Sequence, residues 1–534
     1  MNYFNKIDIH QIKLLFNTIL YLKPVQVCYR LYYFLRNIFI GKKVKKKALA
    51  NFNAIVWENE FNYENSYLDK DNSFVFLNLS HSFSDKIDWN YNRFGKLWTY
   101  NLNYFDYLNQ ENISKEIGII LIKDYIKNDN LLLDGKESYP ISLRGINWVK
   151  FLTKNEIENP LVDKTLFNHY KILYNNIEYH LLGNHLLENA FSLLFGAYYF
   201  QDEKLYSKSK KILKTQLNEQ ILEDGGHFEL SPMYHQIMLF RVLDCIQLIK
   251  LNIWKNDDLL NLLEESSSKM LSWLGNVTFN NGDIPMVNDC AFQIAPSTKA
   301  ILNYGKLLGI NKKNIKLSDS GYRMFKNEKY ELFMDMGEVG ASYQPGHVHS
   351  DTFNFVLYAN NQPFIVDTGT STYEKNDQRQ LERSTSSHNT ITIGDYNQTQ
   401  VWGGFRVAKR AKIVSLKESL NLFSSSHNGY KNIDVIHNRK FITNKDSINI
   451  FDDLNKQEVY EQIAHFHFHP SIKNIIIKDS RVYFKNSNIE MSFNGKSISI
   501  EKECYEYAHG FNKTENAVKL KVVFESNLET TIYT

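Results

Sequence analysis

Cysteine is scarce in this 534-residue chain. The four residues, Cys28, Cys245, Cys290 and Cys504, lie far apart. No Cys-x-x-Cys occurs, so a zinc–thiolate site is unsupported and no spacing demands disulfides. A surplus of one charge is also lacking. Lys and Arg number 62 against 59 Asp and Glu, a net charge of +3, so composition makes no case for nucleic acid as a partner. No uncharged apolar run reaches the length of a membrane span. The opening residues do not read as a secretory leader, because Lys6 and Asp8 fall where its apolar core would begin. Gly-x-Ser-x-Gly and Gly-Lys-Ser/Thr are absent, as are a Ser-His-Asp arrangement and a dinucleotide glycine motif. These absences leave no nucleophile elbow and no phosphate loop.

What is present is an ordinary globular composition: 43% hydrophobic and 23% charged residues. The length predicts two or three domains. Aromatics reach 14%, with 33 Tyr and 35 Phe. Such rings suit sugar faces, but a large core uses them equally.

Three regions follow one another. Residues 1–50 hold a short helix near 11–17 and a second from Pro24, rich in aromatics, ending at Gly41-Lys-Lys-Val-Lys-Lys-Lys47. An aromatic helix beside a lysine cluster suits an anionic membrane surface; packing on the main body with a solvated lysine tail is the alternative. Residues 51–315 contain helix-length segments from about 101 to 308, with apolar residues recurring at three and four, as in Leu186, Leu187, Ala190, Leu193, Leu194 and Ala197. Helix pairs with polar connections suggest an α/α toroid, although periodicity alone allows any large helical domain. From residue 316 to 534 the pattern changes to short β-rich runs divided by turn residues, which predicts an antiparallel β-sandwich. The expected fold class is therefore α+β and multidomain. The boundary near Lys312–Ser320 is no Pro/Gly linker, so the domains should pack tightly around a cleft.

The densest chemistry lies in Gln344-Pro-Gly-His-Val-His-Ser-Asp351. If that run is extended, His347, His349 and Asp351 share one face. A hairpin about Asn360-Asn361 then carries Asp367 back, and Ser387-His388-Asn389 supplies a further imidazole. Imidazoles with a carboxylate suit zinc. Simple hairpin pairing sets Asp367 opposite Asn354, short of His349, so sharing one ion requires a bend or bulge. Two upstream stretches complete the candidates: Gly183-Asn-His-Leu-Leu-Glu-Asn189, opening a helix, and Asp224-Gly-Gly-His-Phe-Glu-Leu-Ser-Pro-Met-Tyr-His235, in which Ser231 caps a helix beginning at Pro232.

In these three segments, taken in order, the chain resembles the heparinase II/III-like polysaccharide lyases, from about Trp57 to near the C-terminus. The resemblance implies an incomplete toroid followed by a β-sandwich, and β-elimination on a uronate-containing glycan. It assigns Asn184, with His185, to the substrate carboxylate, Tyr234 to the leaving oxygen, and His347 to the alternative base. It assigns His349, Asp367 and His388 to a structural divalent metal, zinc first. Arg144, Trp148, Glu229, His235, Arg383, Trp402 and Arg406 are candidates for holding the substrate; for Arg144 and Trp148 packing is an equal reading. Glu188 and Asn189 are neighbours or helix supports, and the polar loop Asn281–Asp289 either lines the cleft or turns the chain. Alternatives are a uronate C5-epimerase on the same residues and a glycan-binding protein without activity. The partner expected is an acidic polysaccharide or a lipid-linked glycan, met in the cytoplasm or at the inner membrane face, with a role in surface-polysaccharide metabolism.

Overall fold

The structure, a computed structural model, describes residues 9–39, 55–58, 61, 63–456, 460–485 and 487–534. The lysine cluster Lys42–Lys47 lies outside them. Helices α1 (Ile9–Ile19) and α2 (Pro24–Phe39) come first. A small antiparallel sheet follows, made of β1 (Tyr67–Leu68), β2 (Ser73–Phe76) and β3 (Leu79–Ser82).

The helical domain runs through α3 (Lys96–Tyr104), α4 (Lys115–Lys127), α5 (Ser138–Lys154), α6 (Pro160–Asn175), α7 (Gly183–Phe200), α8 (Glu203–Gln220), α9 (Pro232–Leu251), α10 (Leu259–Val277) and α11 (Thr298–Leu307). Burial alternates along it. In α5, α7 and α9 nearly every residue is buried. In α4, α6 and α8 only one face is. A helix apolar all round must be enclosed, and one with a single stripe must be a wall. The sequence therefore builds a double layer of inner and outer helices, with α5 on α7 and α7 on α8 and α9. That is the layering expected of an α/α toroid. The first of these helices, α3, ends at Tyr104, where Phe105 turns into the left-handed region at φ 62° and a 3₁₀ turn follows.

The remaining residues form the sandwich. One sheet has four strands in sequence order: β4 (Tyr322–Lys326), β5 (Tyr330–Asp335), β6 (Phe355–Ala359) and β7 (Gln362–Ile365). The β6–β7 hairpin turns at Asn360 and Asn361, with φ of 53° and 60°, as the pair predicted. The second sheet opens with β8 (Ile391–Ile393). The short pair β9 (Val401–Trp402) and β10 (Arg406–Val407) follows apart from it. The sheet then continues through β11 (Ile413–Ser419), β12 (Leu422–His427), β13 (His437–Thr443), β14 (Ser447–Leu454), β15 (Gln462–His467), β16 (Ile475–Lys478), β17 (Arg481–Phe484), β18 (Glu490–Gly510) and β19 (Lys513–Tyr533). Strand β19 forks, pairing β14 through residues 527–533 and β15 through residues 519–524.

The four-stranded sheet is buried on both faces, and its alternation shows why. Leu332, Met334, Phe355 and Leu357 enter the core shared with the large sheet. Phe333, Val356 and Tyr358 point the other way, onto Leu230, Trp273, Val277 and Phe279 of the helical domain. Strands buried on both faces lose the polar half of the pattern, and β5 and β6 are buried at every position. The domain boundary is pinned as well. Buried Asp224 accepts hydrogen bonds from the Ser318 and Ser320 backbone amides, each at 3.0 Å, and from the Ser320 hydroxyl at 2.6 Å.

Candidate active site

The stretch holding His347, His349 and Asp351 is a loop ahead of β6, not an extended strand. The two histidines are organised by a residue of the helical domain, Asp289. Its carboxylate pairs with His347 Nδ1 at 3.0 Å, with His349 Nε2 at 2.8 Å, and with the Arg379 guanidinium through Nη2 at 2.7 Å and through Nη1. Backbone bonds lock the two segments together. Asp289 N donates to His347 O at 3.0 Å, and His349 N donates to the Asn288 side chain at 2.9 Å. Burial alone would raise the Asp289 pKa, but Arg379 and the two histidines hold it well below the usual carboxylate range.

An ionised carboxylate only accepts hydrogen bonds. His347 must therefore donate from Nδ1, which leaves a lone pair on Nε2. That nitrogen faces the Asn184 amide, 3.4 Å from Nδ2. Asn184 lies in the first turn of α7, which opens at Gly183 with φ 59°. A Cβ on Gly183 would stand 2.5 Å from Glu229 Oε1 and 2.8 Å from Gln344 Cγ, so only glycine lets this turn meet both segments. Glu229, which is 1% exposed, takes the Asn184 backbone N–H at 2.8 Å and its Nδ2 at 2.8 and 3.1 Å. It fixes the amide rather than facing substrate.

Tyr234 lies in the first turn of α9, and its ring stacks on His347 with centroids 3.8 Å apart. Ser231 caps that helix through Tyr234 N at 3.3 Å and donates to Asp289 O at 2.6 Å, so one cap ties α9 to the carboxylate's segment. The Tyr234 hydroxyl meets that of Tyr373 at 3.2 Å. Burial raises its pKa, so the phenol stays protonated. His185 keeps a partly exposed ring beside Tyr139. Burial pulls its pKa down, but Glu178, paired with Nδ1 at 3.1 Å, outweighs this and raises it. Asn189 holds Glu178 in turn, donating to it at 2.9 Å.

Asn184, Tyr234 and His347 thus come together at the seam, while His185, next to Asn184 on α7, turns to Glu178 and Tyr139. Others of the expected set do not. Arg144 is fully buried, donates to Asn103 O at 3.1 Å and lies 4.8 Å from the Tyr125 ring. Trp148 is equally buried, against Phe105 and Tyr125. Both are core residues that helix periodicity could not separate from a cleft wall. His235 is buried between the His227 amide and Met270 O, and burial lowers its pKa to about 3. Arg383 spends its guanidinium on Val348 O and Gly404 O, shaping the histidine loop from behind. Trp402 and Arg406 stand at the seam's edge, with the guanidinium 4.8 Å from the indole centroid. Sequence reasoning missed the roles of Asp289, Arg379 and Tyr373. Only the polar loop Asn281–Asp289 signalled one of them.

Asp367, as simple pairing predicted, meets Asn354, which donates to it at 2.6 Å; it also pairs with His388 Nδ1 at 2.8 Å. The hairpin bulges between Leu357 and Tyr358. The His349 and His388 rings lie 5.3 Å apart, and His349 Nδ1, His388 Nε2 and Asp351 Oδ2 are buried without a partner. As these side chains stand, no three His, Cys, Asp or Glu among the described residues are set to hold a metal ion.

A helical double layer docked on an antiparallel sandwich is the fold of heparinase III. The crystal structure of heparinase III superposes with a TM-score of 0.64 at 17% identity, covering 96% of this chain and 92% of that one. That of a heparan sulfate lyase from Pedobacter heparinus gives 0.56 at 16%, covering 85% and 79%. Such identities speak for the fold alone. Two family models, "Heparinase II/III N-terminus" over residues 142–350 and "Heparinase II/III-like, C-terminal" over residues 310–533, match most of the sequence between them. The chain belongs to the heparinase II/III-like family. The heparin-sulfate lyase of Bacteroides stercoris is 22% identical over 406 residues, covering 63% of this chain and 59% of that protein. That of Pedobacter heparinus is 24% identical over 310 residues, covering 52% and 45%. The chain spans about half the length of these curated relatives.

Asp289→Asn tests the role of the buried carboxylate. An amide can donate to His347 Nδ1 and so favour the wrong tautomer. If His347 serves as a base, the variant should lose about 100-fold or more in turnover, since a comparable change beside a catalytic histidine in another enzyme costs more. It should also be destabilised by about 3–5 kcal/mol through the unpaired Arg379. Steady-state kinetics and denaturant melts measure both.

Proposed function

We propose that this protein is a polysaccharide lyase that cleaves a uronate-containing glycosaminoglycan by β-elimination. The observation that carries the reading is the meeting of Asn184, Tyr234 and His347 across the seam. Family membership and the names of the two curated relatives support it, and neither name supports the epimerase alternative. Asn184, held by Glu229, would bind the uronate carboxylate and stabilise the enolate-like intermediate, with His185 next to it on α7. The His347 Nε2 lone pair would take the C5 proton. The electron pair would move into the carboxylate and then into a C4–C5 double bond as the C4–O bond breaks. Tyr234, kept protonated by burial, would give its proton to the leaving oxygen. Heparan sulfate is the first polymer to offer. Turnover should appear as rising ultraviolet absorbance from the unsaturated uronate, and Tyr234→Phe and His347→Ala should each abolish it while keeping the melting temperature. Neither absorbance nor shortened chains from any uronate polymer would reject the reading.

We also propose a structural divalent cation, zinc first, held by His349 and His388, with Asp367 orienting the His388 ring through its other nitrogen. The fit rests on chemistry: Asp289 and Asp367 each fix one ring nitrogen of a histidine, leaving lone pairs on His349 Nδ1 and His388 Nε2 without a donor. Such a cation would tie the histidine loop to the sandwich. Elemental analysis should find about one zinc per chain, lost in His388→Ala, and a chelator should lower the melting temperature. Metal-free protein that melts unchanged with chelator would rule this out.

Finally, we propose that α1 and α2 rest on the cytoplasmic face of an anionic membrane, where a lipid-linked or surface glycan is handled. Ile12, Phe16, Ile19, Leu31, Phe34 and Phe39 are exposed on these helices, and Lys42–Lys47 follow directly in sequence. The cysteines are free thiols, which suits a reducing compartment. No helix among the described residues is long and apolar enough to cross a membrane. The protein should float with phosphatidylserine vesicles at low salt, less so at high salt, and not after deletion of residues 1–47. Flotation that survives the deletion, or recovery of the protein outside the cytoplasm, would count against this.

A further inference from the structure

Helix α2 buries one residue, and it is polar. Gln26 is 1% exposed, while Val27, Leu31 and Phe34 of the same helix lie outside. A buried glutamine is held by direction, so its polar atoms need partners. They have them. Its Oε1 accepts from the Lys23 backbone N–H at 2.9 Å, which is the glutamine half of a capping box on a helix that starts at Pro24. That bond fixes the side chain and aims its Nε2 into the seam. There Nε2 donates to Leu181 O at 3.1 Å and to Tyr343 O at 3.2 Å.

Those two carbonyls stand at the roots of the two segments that deliver the site. Leu181 precedes Leu182 and Gly183, which both turn through positive φ, 66° and 59°, before Asn184. A leucine in that region is strained and persists only where its surroundings over-determine it. Tyr343 stands four residues before His347, and its side chain is held as well. Its hydroxyl donates to Glu219 Oε1 at 2.5 Å, and Lys23 Nζ lies 4.0 Å from its ring centre while pairing with Glu219. The next residue of α8, Gln220, donates to Gly183 O at 3.0 Å. Lys23, Gln26, Glu219 and Gln220 thus make one polar clasp over both segments, which meet beyond it where Asn184 Nδ2 lies 3.4 Å from His347 Nε2.

We propose that Gln26 and Lys23 are positioning residues of the site: from a helix outside the two domains that carry it, they set the spacing between the Asn184 amide and the His347 imidazole. They act through the Leu181 and Tyr343 segments and not on the reacting atoms. An amide and a base that share one substrate need placing to within a fraction of an ångström. The proposal rests on the lyase reading for its effect on turnover; the spacing itself is read without substrate.

The test uses the full-length chain carrying Gln26→Met, which keeps the length of the side chain and removes its hydrogen bonds, and Lys23→Met beside Lys23→Arg. On a polymer that the parent cleaves, Gln26→Met should lower kcat about 10- to 100-fold. KM should stay within about twofold, because no substrate contact is removed. Lys23→Met should lower kcat too, and Lys23→Arg should keep it, since arginine can retain both the pair with Glu219 and the cation on the Tyr343 ring. The second readout needs no substrate. In protein labelled with ¹³C at histidine Cε1, the His347 resonance, assigned by its loss in His347→Ala, feels the ring current of Tyr234, stacked at 3.8 Å. Gln26→Met should shift it and leave that of His81, stacked on Tyr91 at 4.0 Å, in place. An unmoved His347 resonance, with kcat within about twofold of the parent, would overturn the proposal. So would shifts of both resonances with a fall in melting temperature, the mark of general loosening. A shift confined to His347, in a protein that cleaves no uronate polymer, would sustain the clasp and remove the lyase.

Discussion

The Asp289 carboxylate is the constraint on which the site depends. It is buried between the domains, and a charge there requires compensation. Arg379 supplies the opposite charge, and two imidazoles supply further hydrogen bonds. Because the group can only accept, it dictates the tautomer of each histidine. His347 is left with an unprotonated Nε2 facing the Asn184 amide, and His349 with a buried Nδ1 that has no partner. One acceptor thus leaves a lone pair at the seam on one side and another in the interior on the other. Histidines two apart in the chain acquire different chemistry because different nitrogens face the same carboxylate.

This dependence makes the site a property of the docked domains. Asn184, Tyr234 and Asp289 belong to the helical domain, His347 and Arg379 to the sandwich. Phe333, Val356 and Tyr358 press the four-stranded sheet onto Trp273 and Phe279, and Asp224 pins the connecting chain. A dipole or base placed to within a fraction of an ångström needs supports that do not slide. A sheet buried on both faces provides them where a hinged linker would not.

The layered fold was legible because its signals are long. Inner helices such as α7 are apolar nearly all round, and strands such as β13 alternate strictly between buried and half-buried positions. The β6–β7 turn was legible because two consecutive Asn tolerate positive φ. Asn184, Tyr234 and His347 were legible through their flanking motifs. Arg144 and Trp148 show the limit. A residue on a fully buried inner helix carries no periodic mark of which neighbour it touches, so an arginine on the Tyr125 ring looks the same in sequence as one in a cleft. Arg379 and Tyr373 were invisible for another reason: their partners lie far away in the chain, and only the fold brings them together.

The seam also explains why the first helices need not be an independent appendage. A helix exposing Leu31, Phe34 and Phe39 would be an aggregation hazard if it were loose in water. Here its opposite face is fixed by directional bonds: Gln26 to two backbone carbonyls, Tyr33 to a third, and Arg36 to Asn175 O at 2.6 Å. Polar contacts to carbonyls set orientation in a way that apolar contact does not. The helix pair is therefore presented in one pose, with Leu31, Phe34 and Phe39 outward and Gln26 and Tyr33 bonded to the segments that flank the site.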